Sequence, residues 1–375
     1  MASTPHSGDL PLLRSPYRVR PEEPSAEGPL RIVSIGGGTG LSTLLRGLKR
    51  YVKASPDQVS LTAVVTVTDD GGSSGRLRRE FDVLPPGDLR NCMVALSQDE
   101  LLLTQLFNYR FSEGRGLRGH SFGNLFLTAM TNLTGDFSSA VQLSSEVLAV
   151  AGRIYPSTAS NVVVEARLAG GRMVSGETKI SRSRRPIERL FLSPRRVKPL
   201  PETLEAIAQA DLITLGPGSL FTSVIPNLLV DGIPKAIVAS PARKVYFMNL
   251  MSQPGETTRF TASDHLAMLR KHAGRYGKQL IDVCVLNSGT LRPQSVAEYG
   301  AKQAEPIVCD EEAMAKMGVE TVALDLVRMA GRTSEIHASR IRHDSGAIAA
   351  VAMDLAVQAR AERVASARKR RTALG

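Results

Sequence analysis

The stretch that decides the fold is Arg31 to Lys49, R-I-V-S-I-G-G-G-T-G-L-S-T-L-L-R-G-L-K. Ile32 to Ile35 form a short apolar run, and Gly36-Gly37-Gly38-Thr39-Gly40 follow at once. Leu41, Leu44, Leu45 and Leu48 then recur on one face of a helix. Strand, glycine turn and helix predict the opening unit of a nucleotide-binding α/β domain. Glycines let the backbone turn tightly and approach a phosphate, and the helix start offers unpaired N–H donors at the positive end of its dipole. The spacing departs from the dinucleotide fingerprint, because G-x-G-x-x-G begun at Gly36 needs glycine where the chain has Leu41. No Walker-type phosphate loop is present, and an NAD-dependent dehydrogenase is disfavoured.

Working outward, the apolar run Leu61 to Val67 predicts a second parallel strand. It ends in Thr68-Asp69-Asp70-Gly71-Gly72-Ser73-Ser74-Gly75-Arg76, where paired carboxylates leaving a strand suit a metal–phosphate or sugar-hydroxyl site. Asp88 is placed to cap a helical region through 90–109, and Asp136 to cap a helix running to about Val150. Between them, His120 and Asn124 are four residues apart and share a face if their helix begins early. From Arg153 the pattern changes to alternation. Val162 to Leu168, a Gly170-Gly171 turn and Met173 to Ile180 predict a hairpin, with another strand near Ile187 to Leu192. Residues 151–198 are therefore expected to be a β-rich insertion with a basic loop.

Parallel architecture resumes with Ala210 to Leu215 and a second glycine turn, Gly216-Pro217-Gly218-Ser219, in which Ser219 is expected to cap a helix and donate to phosphate. A strand at Lys244 to Met248 leads into a polar loop holding Asn249, Gln253, Glu256 and Thr257, and a strand at Ile281 to Leu286 ends at Asn287. Strand-like segments near 306–309 and 320–324 precede Ile341-Arg342-His343-Asp344 and a last helix from about Ser345. Polar residues thus gather after strand ends, where ligands bind in open parallel sheets. No spacing supports a Ser–His–Asp or Cys–His nucleophile, or a His/Cys metal set.

The net charge of +11 is concentrated in two places. Residues 182–198 hold seven Arg/Lys against one Glu, and residues 357–375 hold six against one, which leaves the rest near neutral. With aromatic residues at 5% and no tryptophan, a nucleic-acid face is not expected. The Arg-Lys-Arg-Arg run at 368–371 reads as a solvated helix end or tail. No apolar run approaches membrane-spanning length, and Cys92, Cys284 and Cys309 are scattered, so a cytoplasmic protein with reduced thiols is expected. Residues 1–29 are expected to be a disordered extension, 30–360 the α/β domain and 361–375 a basic tail.

Together GGGTGLSTLLRGLK (36–49), TVTDDGGSSGRLRRE (66–80), LPPGDLRNCMVAL (84–96), GHSFGNLFLTAMT (119–131), LGPGSLFTSVIPNLLV (215–230), NLMSQPGETTRFTASDH (249–265) and RHD (342–344) resemble the YvcK-like gluconeogenesis-factor family. That family shares a superfamily with the 2-phospho-L-lactate transferases. The resemblance covers residues 30–360 and implies a Rossmann-like, mostly parallel sheet flanked by helices. It also implies binding of a nucleotide sugar, notably UDP-N-acetylglucosamine, and a regulatory role linking carbon metabolism to cell-wall growth and cell shape. A cell-wall or regulatory protein partner and a homodimer are expected on the same ground.

The resulting expectation is a non-catalytic UDP-sugar sensor. Gly36 to Gly40 and Gly216, Gly218 and Ser219 face the diphosphate. Asn249, Gln253, Glu256 and Thr257 bond base, ribose or sugar, with Asn124, Asp69 and Asp70 also in the site. Tyr299 stacks on a ring, and Arg342, on the same side of its strand-like run as Arg340, forks onto the diphosphate while Asp344 caps the last helix. The competing expectation is a metal-dependent transferase, with Asp69 and Asp70 holding Mg2+ and His120 moving a proton. A third is a basic scaffold that binds acidic partners through 182–198 and the tail.

Overall fold

Apolar runs suited to burial on both faces become strands of a central sheet. The computed structural model describes residues 28–98, 100–327 and 341–374, so the expected extension 1–29 lies almost wholly outside the described residues, as does Arg340. Among the described residues the strands are β1 (Leu30–Gly36), β2 (Val59–Val65), β3 (Arg153–Pro156), β4 (Val163–Leu168), β5 (Met173–Ser175), β6 (Ile187–Ser193), β7 (Leu212–Leu215), β8 (Arg243–Phe247), β9 (Val283–Asn287) and β10 (Glu320–Leu324).

Seven of them form one sheet in the order β10-β9-β8-β7-β1-β2-β3, with every pairing parallel. The order reverses between β1 and β7, where Ser34 lies opposite Thr214. That reversal opens a crevice at the carboxyl ends of the two strands. A small antiparallel sheet, β5-β4-β6, supplies the β-rich part of 151–198. Its boundary differs from the expected one, because Arg153–Pro156 pairs in parallel with β2 and belongs to the main sheet. The expected hairpin arm Met173 to Ile180 also breaks early, and Glu177–Ser181 is a short helix. Gly176 precedes it at φ +97°, a conformation that ends the extended run. Near 306–309 only a single bridge, Met251 to Pro306, replaces the expected strand.

The helix Gly38–Ala54 buries Leu41, Leu44, Leu45 and Leu48, the stripe seen in the sequence. It packs against the last helix, Ser345–Leu374, so closely that a Cβ on Gly47 would sit 1.9 Å from the Ser345 carbonyl oxygen. Asp344 caps that last helix, accepting from Ala347 N at 2.8 Å. The expected basic tail continues the same helix as far as Leu374.

At the amino-terminal edge of the sheet, Asp211 gathers three parts of the chain. It is 1% exposed and accepts from Arg31 N at 2.7 Å, from Arg360 at 2.5 Å and from Arg363. Arg360 also donates to the Gly28 and Pro29 carbonyls at 2.9 and 2.6 Å. Among the described residues no single helix is long and apolar enough to cross a membrane.

Candidate functional site: two glycine turns around one cavity

The turn after β1 and the turn after β7 meet. A Cβ on Gly40 would lie 2.3 Å from the Pro217 carbonyl oxygen and 2.8 Å from Gly218 Cα, so only glycine permits this approach. The helix Gly38–Ala54 starts with Gly37 at its N-cap and no side-chain cap from that residue, and of its first-turn N–H groups that of Gly38 is taken by the Asp88 carboxyl. Beyond Ser219 the chain makes one π-helical turn, Leu220–Val224, before Ile225–Leu228. Such turns recur at functional sites.

Both turns line a cavity of about 720 Å3. Of the expected site residues, Gly37, Gly38, Thr39, Gly40, Gly218, Ser219, Asn249, Gln253, Glu256, Tyr299 and Arg342 form its wall. Gly36 ends β1 and Gly216 follows β7 behind the wall, where Gly36 accepts from Thr66 N at 2.9 Å and Gly216 donates to Ile35 O at 2.9 Å. Thr257 is also behind it, fully buried, with Oγ1 accepting from Gln253 N at 2.9 Å. That bond fixes the loop that carries Gln253.

Glu256 is held by the protein on both oxygens. Ser181 Oγ donates to Oε1 at 2.8 Å and Ser219 Oγ donates to Oε2 at 2.6 Å. It therefore aims two hydroxyl-bearing elements at the cavity, and burial lifts its carboxyl above the usual range. Ser219 stands at the N-cap position but makes no side-chain cap, because Glu256 takes its hydroxyl. Asn249 Oδ1 accepts from Gly218 N at 3.3 Å, which steadies the second turn. Its Nδ2 and Gln253 Oε1 are buried without a partner. Such orphans cost about 1–3 kcal/mol each and mark where a ligand would satisfy them.

Asp69 and Asp70 are not in the cavity wall. Asp69 Oδ1 accepts from Gly71 N at 2.9 Å, and Asp70 Oδ1 accepts from Thr178 N at 2.9 Å and Thr178 Oγ1 at 2.6 Å. A carboxylate leaving a strand meets free N–H groups of the next turn first, as Asp69 does, whereas Asp70 is held by the distant start of Glu177–Ser181. Among the described residues no group of three or more His, Cys, Asp or Glu can hold a metal ion. The described residues do not build a complete Mg2+ cage within the chain.

His120 and Asn124 also stand apart from the cavity. The helix begins at Phe122, too late to put both on one helical face. His120 Nδ1 bonds Ser73 Oγ at 3.0 Å and Asn124 Nδ2 donates to Ser74 Oγ at 3.2 Å, so both brace the helix Gly72–Phe81. Burial, with Arg76 nearby, lowers the His120 pKa.

Sequence reasoning missed Thr43, Glu177, Ser181, Thr222, Ser223 and His343 in the wall. For Glu177 the available signal was Gly176, a glycine inside an apparent strand. Asp88 was missed in another way. It lies in the first turn of Gly87–Leu96 and does not cap it. Its carboxyl accepts from Gly38 N, and burial with Asp69 nearby pushes its pKa up to about 7. Glu177 is raised well above the usual range by burial and by Asp88, Asp69, Glu256 and Asp70. Unusually for an anion cradle, the first glycine turn is thus backed by carboxyls whose protonated forms are favoured.

The family described as 2-phospho-L-lactate transferase CofD matches residues 32–327. A Halalkalibacterium halodurans protein named gluconeogenesis factor is 49% identical over 292 residues, 78% of this chain and 88% of that protein. The Bacillus subtilis gluconeogenesis factor is 46% identical over 325 residues, covering 87% of this chain and 98% of its own. An X-ray structure of a Bacillus halodurans protein superposes with a TM-score of 0.80 at 45% identity, covering 87% of this chain and 99% of that one. The chain belongs to the CofD family, among the relatives that carry the name gluconeogenesis factor.

Proposed function

We propose that this chain is a regulatory gluconeogenesis factor that binds a nucleotide sugar of the UDP-N-acetylglucosamine type, and so links carbon metabolism to cell-wall synthesis and cell shape. The observation that carries this reading is that two glycine turns, from opposite halves of the sequence, line one cavity together with Arg342 and Tyr299. Helix-start N–H groups suit a diphosphate, and the arginine fork adds charge-assisted bonds that lysine cannot duplicate. Gln253 and Asn249 offer buried amide groups to a base, ribose or sugar. A cytoplasmic location and a cell-wall or regulatory protein partner rest on the family resemblance.

Calorimetric titration with UDP-N-acetylglucosamine tests the reading. Saturable heat and a thermal shift are expected, and neither at millimolar ligand would overturn it. A second reading, group transfer from a nucleotide-activated donor, is favoured by the family's description as a transferase. Release of UDP upon incubation with candidate acceptors would establish it over a purely regulatory role.

A further inference from the structure

A smaller cavity of about 350 Å3 opens at the carboxyl ends of β8 and β9. It shares Asn249 and Leu250 with the main cavity, so the two adjoin along the sheet edge. Its wall includes Leu250, Leu291, Val296 and Ile307, with Cys309 also bordering it. The Asn287 amide is already engaged, donating to Gly289 O at 2.8 Å and accepting from Leu326 N at 3.0 Å. The Asn249 amide is different: its oxygen steadies Gly218 while its buried Nδ2 has no partner. Both cavities mix polar and apolar lining, and an unpaired donor on their shared wall, beside Leu291, Val296 and Ile307, suits a flat ligand group that carries a carbonyl at its edge.

Distance supports the same assignment. The β8/β9 gap lies two strand spacings from the β1/β7 crevice, or about 10 Å. A ribose and its phosphates span a separation of this order. We propose that the smaller cavity takes the heterocyclic base of the nucleotide sugar, with a base carbonyl accepting from Asn249 Nδ2. The diphosphate reaches back to the glycine turns, and the sugar projects the other way, toward Thr43, Glu177 and Ser181. This rests on the nucleotide-sugar reading and adds its direction across the sheet. A pyrimidine carbonyl and a purine carbonyl can both meet the amide, and uridine and guanosine nucleotides separate them.

Cys309 provides the test. It is exposed, whereas Cys92 and Cys284 are buried, so alkylation of the native full-length protein reports on the smaller cavity. Burial with Glu311 and Asp310 nearby holds its thiol pKa up, and labelling with iodoacetamide is therefore run in alkaline buffer. At ten times their dissociation constants, UDP-N-acetylglucosamine and UMP are expected to slow labelling about tenfold. Pyrophosphate and N-acetylglucosamine 1-phosphate should leave it unchanged, and GMP in place of UMP reports which base fits. Val296→Trp should weaken UDP-N-acetylglucosamine binding while pyrophosphate titrates as in wild type. Normal calorimetric binding with no protection of Cys309 would overturn the assignment. So would protection by the sugar phosphate but by neither nucleotide, which would reverse the direction. Absence of any wild-type heat instead overturns the nucleotide-sugar reading itself, and this inference with it.

Discussion

The two edges of the central sheet treat buried charge in opposite ways. At the amino-terminal edge Asp211 is almost fully buried and receives a backbone N–H and two guanidinium groups. At the carboxyl-terminal edge Asp88, Glu177 and Glu256 are crowded together, their pKa values raised, beside amide atoms that have no partner. At the first edge the buried carboxylate finds its cations within the chain, although Arg360 Nε is left without a partner. The other is left incomplete, as a ligand site must be if an outside molecule is to complete it. Stability should therefore respond most to the first edge and ligand affinity to the second.

The sharpest way to break the contrast is Asp211→Ala. Removing the acceptor strands Arg360, 15% exposed, together with Arg363, and a broken buried pair costs about 3–5 kcal/mol. Denaturant unfolding should show a loss near the lower end, since Arg363 is partly solvated, while calorimetry on the folded fraction finds nucleotide-sugar affinity unchanged. Equal losses in both would erase the distinction between the edges.

Arg342→Ala is the converse, with an effect expected on binding and little on stability. The loss should be about 1.5–3 kcal/mol, or about 10- to 150-fold in Kd, with Arg342→Lys recovering only part. Wild-type affinity in a well-folded Arg342→Ala protein would remove this residue from the site.

Asp88 sharpens the comparison through pH. The fold raises its carboxyl pKa from 3.8 to about 7, so the folded chain holds a proton that the unfolded chain has released. Its contribution to stability is fully present below about 4 and declines as pH rises through about 7. Bound diphosphate favours the protonated form further, so affinity should weaken above pH 7, by at most about tenfold per unit. Asp88→Asn should flatten both slopes while keeping an acceptor for Gly38 N. An unchanged pH profile would assign the proton to Glu177 or Glu256. The smallest effect is expected at Tyr299, where loss of a stacked ring in Tyr299→Ala costs about 0.5–1.5 kcal/mol and Tyr299→Phe almost nothing. A Phe variant as weak as the Ala variant would show that the hydroxyl matters instead.

What could be read from the sequence was whatever is local. Ile32 to Ile35, the five small residues and the leucine stripe specify strand, turn and helix within twenty residues, and the structure keeps all three. The rule that ligands bind at carboxyl ends of parallel strands brought Asn249 and Gln253 into the site, although nothing local shows their amides. Asp69 and Asp70 follow the same rule yet stand outside the cavity wall: Gly71 N, two residues on, donates to Asp69, and Thr178, more than a hundred residues away, donates to Asp70 through its N–H and its hydroxyl. Asp88 has a good capping sequence, yet its carboxyl serves Gly38 on a different helix. Glu177 was hidden by alternation that continues through a five-residue helix. Sequence patterns report the neighbours along the chain, and Asp70, Asp88 and Glu177 answer to neighbours across it.

The contact between Gly40 and Pro217 also bears on the order of synthesis. The two turns are almost half the chain length apart in sequence, and each contributes one side of the cavity. A nascent chain that has passed the ribosome only as far as β6 has the first turn with nothing opposite it. The cavity between the turns is therefore created late, when β7 docks beside β1, and any ligand of that cavity present during translation can reward only chains that have completed that step.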